Sequence, residues 1–242
     1  MTRRYFAPQL PAQGGMVSLD EAETHHAIHV MRIREGECVT LFDGAGSEAI
    51  AKVHAVGRRE VFCEAEPALR IDRENQVSLV LGIAMPKGDR SKELVERLTE
   101  LGVNQLVPLH CKRTQWAIPE NAIIKWQRVV IDACKQSGRN TLMQIESPQP
   151  AASWFRCSSH GSTPRFVAHP DAASGSSPFA HPPWPSTESR AIVAIGPEGG
   201  FSDEEVAVAD QHGWQRLSLG DRIYRIETAA IIAAIKISGL YP

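Results

Sequence analysis

The chain has 242 residues, 43% of them apolar, with 26 Lys and Arg against 28 Asp and Glu. That size suits one large or two modest globular domains, and the near-zero charge argues against a bulk-charge nucleic-acid binder without excluding a local basic face. No apolar run reaches the roughly 20 residues that span a bilayer, the basic start MTRRYFAPQL has no apolar core behind it to form a secretory leader, and five scattered cysteines without a C-x-x-C pair fit reduced thiols in a cytoplasm better than a disulfide frame or a zinc site.

The first part reads as short strands around one helix. GMVSL is a strand; Asp20 then starts a helix through EAETHHAIHVMR, with Glu23 placed for a capping-box-like start. CVTLF, the turn DGAGS, EAIAKVHAV and EVFCEAE follow, and strands of this length between Gly-containing turns suggest a small barrel. Pro67 and the charged run RIDREN read as a linker.

The rhythm then changes. VSLVLGIA (77–84) is continuously apolar, as in a strand covered on both faces. SKELVERLTELG is an amphipathic helix closed by Gly102, QLVPLHC a strand, and ENAIIKWQRVVIDACKQSG a long helix. RFVAH and RAIVAI are strands, Ser202 caps DEEVAVADQHG with Glu205 three residues on, RLSLG is a short strand, and ETAAIIAAIKISG is a final helix. Alternation of this kind means an α/β domain with a mainly parallel sheet. The Pro/Ser-rich stretch 171–189 reads as a surface excursion. Residues 1–139 carry 19 basic and 18 acidic residues and the remainder 7 and 10, so an anionic partner is expected to meet the first part.

Two stretches carry chemistry. GPEGG (Gly196, Pro197, Glu198, Gly199, Gly200) lies between a strand and a capped helix, where ligand loops sit, yet it is neither G-x-G-x-x-G nor a P-loop. A carboxylate at its centre repels phosphate and suits a ligand bearing positive charge or hydrogen-bond donors; a merely tight turn is the competing reading. LSLGDRIYRIETAAIIAAI (217–235) ends a strand at Leu219-Gly220, passes Arg222, Arg225 and Glu227, and enters a helix apolar nearly all round, which is buried in a core or a subunit interface. Here the competing reading is that Arg225 and Glu227 pair with each other or cap the helix. Both stretches are expected at the carboxyl ends of adjacent strands, where open α/β sheets bind ligands.

Taken together, GPEGGFSDEE and LGDRIYRIETAA resemble the 16S ribosomal RNA uridine N3-methyltransferases of the RsmE type, in the SPOUT superfamily of trefoil-knotted methyltransferases. HHAIHVMRIREGECVTLFDGAG, MPKGDRSKELVERLTELGV and ACKQSGRN resemble further segments of that family in order, and AHP (168–170) sits where it has a strand end near the cofactor. Tyr224, Ile226 and Arg97 depart from the residues usual there.

The resemblance implies an α/β fold with an N-terminal PUA-like β-barrel (1–72), for RNA binding, and a C-terminal SPOUT trefoil-knot methyltransferase domain (73–242), acting in the cytoplasm as a homodimer. It implies S-adenosyl-L-methionine as cofactor, held by His169, Gly196–Gly200, Leu219, Gly220, Ile223, Tyr224 and Arg225. It implies 16S rRNA of the small ribosomal subunit as partner, contacted by Arg3, Arg4, Arg32, Arg34, Lys87, Arg90, Lys112 and Arg113. Arg139 and Arg225 are the candidates for holding phosphate or a developing oxyanion, and Glu227 for ordering the loop. His25 and His29, four apart on a helix, lack a third ligand at metal-binding spacing, so no metal is expected. Ribose 2′-O-methylation is the rival within the superfamily. A non-catalytic RNA-binding or ribosome-assembly protein of the same fold is the rival of another class, with Tyr224 and Ile226 in its favour. A nucleotide-dependent oxidoreductase lacks a dinucleotide fingerprint.

Overall fold

The computed structural model describes residues 2–157, 163–169 and 190–238; the stretch 171–189 therefore lies outside the described residues. The chain divides into two compact units, one of residues 1–74 with 131–142 and one of residues 75–130 with 143–242.

The first unit is built on a six-stranded sheet. Its strands are β1 (Arg3–Phe6), β2 (Gly15–Ser18), β3 (Cys38–Phe42), β4 (Ser47–Val56), β5 (Val61–Ala65) and β6 (Leu69–Arg70), in the order β1-β3-β4-β5-β2 with β6 on β4. Alternate residues of β4 and β5 face inward, so Ala49, Ala51, Val53, Val61, Cys63 and Ala65 join Tyr5, Val39 and Leu41 in one core. The expected linker is thus partly sheet: β6 pairs with the start of β4, and Arg73 forks onto Glu48 with two bonds of 2.9 Å.

The expected helix 21–32 is shorter and mixed. Helix α1 (Glu21–His25) passes into a π-helical turn, His26–Val30, closed by the Met31 amide donating to the His26 carbonyl. Asp20 caps it, accepting from the Glu23 amide at 2.8 Å. Glu23 does not return the bond as a capping box would; buried, it accepts from the Phe6 amide and from Lys135 Nζ instead. Tertiary partners have outcompeted the local one.

The second unit is a seven-stranded, all-parallel sheet of β7 (Ser78–Ile83), β8 (Gln105–His110), β9 (Gln144–Ile145), β10 (Gln149–Pro150), β11 (Arg165–Ala168), β12 (Arg190–Ile195) and β13 (Gln215–Leu217). The order is β10-β8-β7-β12-β11-β13, with β9 also on β8, so the strands before the two glycine loops, β12 and β13, are not adjacent as expected but flank β11, which pairs with both. The central strands β7 and β12 are buried along nearly their whole length, as their unbroken apolar sequences require. Helix α2 (Asp89–Glu100) buries Leu94, Val95 and Leu98 and ends in a Schellman motif. Gly102, at φ 75°, donates to the Thr99 carbonyl and Val103 to that of Leu98.

Helix α3 (Ala122–Ser137) contributes its first half to this unit and its second half to the other. Helix α4 (Ala151–Cys157) brings Trp154 and Phe155 against Phe201 and Trp214, with ring centroids 5.0–5.3 Å apart for three of the pairs. Trp154 fits only because Gly82 in β7 has no side chain: a β-carbon there would stand 2.3 Å from the indole. Helices α5 (Asp203–Gln211) and α6 (Ile226–Ser238) complete the unit, and α6 returns from the sheet edge to pack on β7, β12 and α2.

Candidate active site

Because every strand of the second unit runs the same way, the loops after β7, β8, β11, β12 and β13 open on one edge of its sheet. This carboxyl edge gathers Lys87 and Arg90, Lys112 and Arg113, His169, Gly196–Gly200, and Leu219–Glu227.

The 196–200 loop is a tight turn, with the Gly200 amide donating to the Pro197 carbonyl at 2.8 Å and Gly200 at φ 70°. At Gly196 a β-carbon would come within 3.1 Å of the Phe201 ring and amide, so the strand passes directly under the aromatic cluster. Ser202 and Glu205 then form a full capping box on α5, at 3.2 and 2.8 Å. Glu205 is buried, and its second oxygen accepts from the Lys112 amide at 2.9 Å.

Arg113 donates to the carbonyls of Gly199 and Phe201 at 2.9 and 3.1 Å, and Lys112 pairs with Glu204. These two cations, expected on RNA, therefore fasten the loop after β8 to the loop after β12. Trp116 fastens the same loop to the end of β7 by donating to the Met85 carbonyl at 2.8 Å. No sequence signal marked Trp116 or the second bond of Glu205.

On the other side, β13 stops at Leu217, so Ser218–Leu219-Gly220 belong to the loop rather than to the expected strand. Gly220 sits at φ 130°, and its missing side chain leaves room for the Tyr224 hydroxyl, 3.0 Å from where a β-carbon would be. Ile223 is 91% exposed, an unusual state for a large apolar side chain. Asp221, Arg222 and Arg225 are exposed as well, and the Arg225 carbonyl accepts from Ala229 in the first turn of α6. The His169 amide donates to the Leu217 carbonyl at 3.2 Å, joining the ends of β11 and β13.

Glu227 does not hydrogen-bond Arg225. Its partner is Arg90, whose Nη2 donates to Oε2 at 2.7 Å while Nε donates to Oε1. Hydrogen bonding to Arg90 holds the Glu227 carboxyl below its ordinary range, with the charges of Arg90 and Arg225 adding to the effect. The same guanidinium reaches Glu198 Oε1 at 3.3 and 3.4 Å. The acid at the centre of GPEGG is thus joined through one arginine to the first turn of α6.

The remaining expected residues lie in the first unit. Arg139 is buried, its guanidinium forked on Glu74 at 2.8 and 2.5 Å. Arg3 pairs with Glu37 and Arg4 with Glu48. Arg34 is exposed, and exposed Arg32 holds φ 50° just after the π-helical turn. The His25 and His29 rings lie 4.7 Å apart on the surface. Among the described residues no group of three His, Cys, Asp or Glu is placed to hold a metal ion, and no helix is long and apolar enough to cross a membrane.

The chain is similar to known proteins along nearly its whole length. It is 29% identical over 228 residues to a protein of Synechocystis named ribosomal RNA small subunit methyltransferase E, covering 93% of this chain and 73% of that one. A Neisseria gonorrhoeae protein of the same name, solved bound to S-adenosyl methionine, superposes with a TM-score of 0.83 at 29% identity, covering 98% and 97% of the two chains. A Legionella pneumophila structure described as a methyltransferase in complex with the bound cofactor SAM superposes with a TM-score of 0.86 at 31% identity, covering 97% and 96%. Residues 19–66 match the family model of the RNA methyltransferase PUA domain and residues 73–238 that of the RNA methyltransferase domain. With more than half its length inside the second of these models, and with its glycine loops and charged groups gathered on one sheet edge, this chain belongs to the RNA methyltransferase family.

Proposed function

We propose that the protein methylates N3 of a specific uridine in 16S rRNA of the small ribosomal subunit, with S-adenosyl-L-methionine as methyl donor. The observation that carries this reading is the meeting of GPEGG and the 219–227 segment on one carboxyl edge, in a chain that shares its fold with relatives solved holding that cofactor. On this reading residues 1–72 are a PUA-like barrel that binds RNA and residues 73–242 a SPOUT domain with a trefoil knot. The return of α6 from edge strand β13 to central strands β7 and β12 is compatible with such a thread.

The residues present fit the cofactor. Glycines at 196, 199, 200 and 220 let main-chain amides and carbonyls approach it closely. Ile223 and Tyr224 offer apolar cover for an adenine, and His169, Pro197, Leu219 and Arg225 complete the walls. The exposed Glu198 carboxylate is compatible with a cation and unfavourable to phosphate. Bound there, the cofactor supplies an electrophilic methyl group on a positive sulfur. The protein's part is to bring the uracil N3 into line with that methyl and to favour loss of the N3 proton. Arg225, exposed and so available to a substrate, stabilises the charge that then spreads over O2 and O4. Glu227, held ionised on Arg90, orders the first turn of α6 beneath it. Arg139 acts as an anchor of its own turn, since its guanidinium is already forked on Glu74. Exposed Arg32, Arg34 and Lys87 hold RNA phosphates, which positions the substrate without reading its sequence, whereas Arg3 and Arg4 are already paired with Glu37 and Glu48.

A homodimer is part of this proposal. One face of α6 is buried in its own unit, while Ile231, Ile232 and Ile235 are only partly covered, leaving apolar surface for a second copy. The decisive experiment is methyl transfer to small ribosomal subunits that lack the modification, with the product mapped by primer extension. A block at one uridine is expected, because N3 methylation prevents pairing. Product only at a ribose overturns the reading in favour of 2′-O-methylation. Absence of both product and cofactor binding overturns it in favour of an RNA-binding protein that keeps the fold.

A further inference from the structure

Arg90, Glu198 and Glu227 come from three elements far apart in sequence, the start of α2, the loop after β12 and the start of α6. Arg90 is firmly based: α2 buries Leu94, Val95 and Leu98, and its first turn is pinned where Ser91 Oγ donates to the Gly88 carbonyl and accepts from Trp126 Nε1. Its guanidinium is used on two edges. The Nε/Nη2 edge meets Glu227, whose side chain is 18% exposed, and the Nη1/Nη2 end meets Glu198, 59% exposed, at longer range. Without the arginine, two carboxylates would face the same space with nothing between them. A guanidinium with its donors divided between two acids is poorly placed to serve as a free phosphate ligand.

We propose that Arg90 is a positioning residue of the methyl-transfer site. It sets the spacing between the GPEGG loop and the first turn of α6, with Glu227 as the permanent end of the bridge and Glu198 as the end that yields when the cofactor enters. The inference rests on the reading of these two segments as the cofactor loops.

The test uses the full-length protein and its Arg90→Gln and Arg90→Lys variants. Amide hydrogen exchange in the ligand-free protein is read at 196–200 and at 226–229. Arg90→Gln is expected to speed exchange in both segments together by about tenfold or more, leaving the interior of α2 unchanged. By calorimetry it is expected to weaken S-adenosylmethionine binding by about tenfold, with the affinity for RNA kept within about twofold. Arg90→Lys keeps the charge but not the fork, and should restore less than half of the lost affinity. It also serves as the informative variant if Arg90→Gln does not fold. Exchange that is unchanged in either segment overturns the proposal. So does a variant that binds cofactor normally and loses RNA, which would return Arg90 to the phosphate-binding set. Should the unmodified protein bind no S-adenosylmethionine, the cofactor reading fails, and the exchange measurement still decides whether Arg90 couples the two segments.

Discussion

Two arginine–glutamate forks, one in each unit, show how burial sets what the same chemistry does. Arg139 and Glu74 in the first unit are 5% and 20% exposed in their side chains; Arg90, between Glu227 and Glu198 in the second, is 40% exposed. A buried fork is costly to break, because the surviving partner keeps its desolvation penalty without its counter-charge. A half-exposed one contributes little to stability, since water competes for each donor. Its value is geometric: it can define a distance between two segments and still exchange one acid for a ligand. The first fork therefore belongs to the fold, and on the proposed reading the second belongs to the site.

The largest expected effect follows from the buried fork. Arg139→Ala should destabilise the first unit by about 3–5 kcal/mol, read as an earlier unfolding transition by denaturant titration. A loss below about 1 kcal/mol would erase the distinction drawn between the forks. Next is Gly220→Ala, which places a side chain at φ 130° and against the Tyr224 hydroxyl. It should cost about 1–2 kcal/mol and weaken cofactor binding, both measurable by thermal shift with and without ligand.

A third prediction concerns pH. Glu48, bonded first by Arg73 and then by Arg4, has its carboxyl lowered to about 2. A carboxyl whose folded value is depressed stabilises the protein above its unfolded value near 4.5 and loses that contribution as pH falls through the folded one. Glu48→Gln should therefore flatten the acid limb of the stability profile between about pH 4.5 and 2, and an unaltered limb would count against the fork. Glu227 is shifted the same way. The smallest effect is on Glu198→Gln, whose stability should lie within about 0.5 kcal/mol of the parent, because its contact with Arg90 is long and exposed.

Much of the second unit was legible because its signals are local. VSLVLGIA is apolar enough to be read as a strand covered on both faces, RAIVAI reads as a strand, Gly102 closes α2, and Ser202 with Glu205 caps α5. What escaped was held by distant partners. The short β1 and β6 exist through pairing with β3 and β4, and α4 has only seven residues, stabilised by Trp154 lying in the gap at Gly82. At the site, glycine loops announce themselves through composition, but partners do not. The family resemblance offers Arg90, Lys112 and Arg113 as RNA contacts, and only the folded chain shows an acid or a carbonyl already in front of each. Arg139, which the motif ACKQSGRN offers as a substrate ligand, is likewise found with its guanidinium on Glu74.

The double use of Glu205 has a mechanical consequence. One of its oxygens caps α5 directly after GPEGG and the other holds the Lys112 amide. The segments after β8 and after β12 are thereby riveted into a single jaw, reinforced by Arg113. Among the described residues the opposite jaw, 218–225, is held by Lys236 on the Ser218 carbonyl, by the packing of Tyr224 on Gly220, and by the Arg225 carbonyl accepting from Ala229. If this cleft closes on a ligand, the travel belongs to the second jaw, which pivots just before the first turn of α6 that Arg90 holds through Glu227.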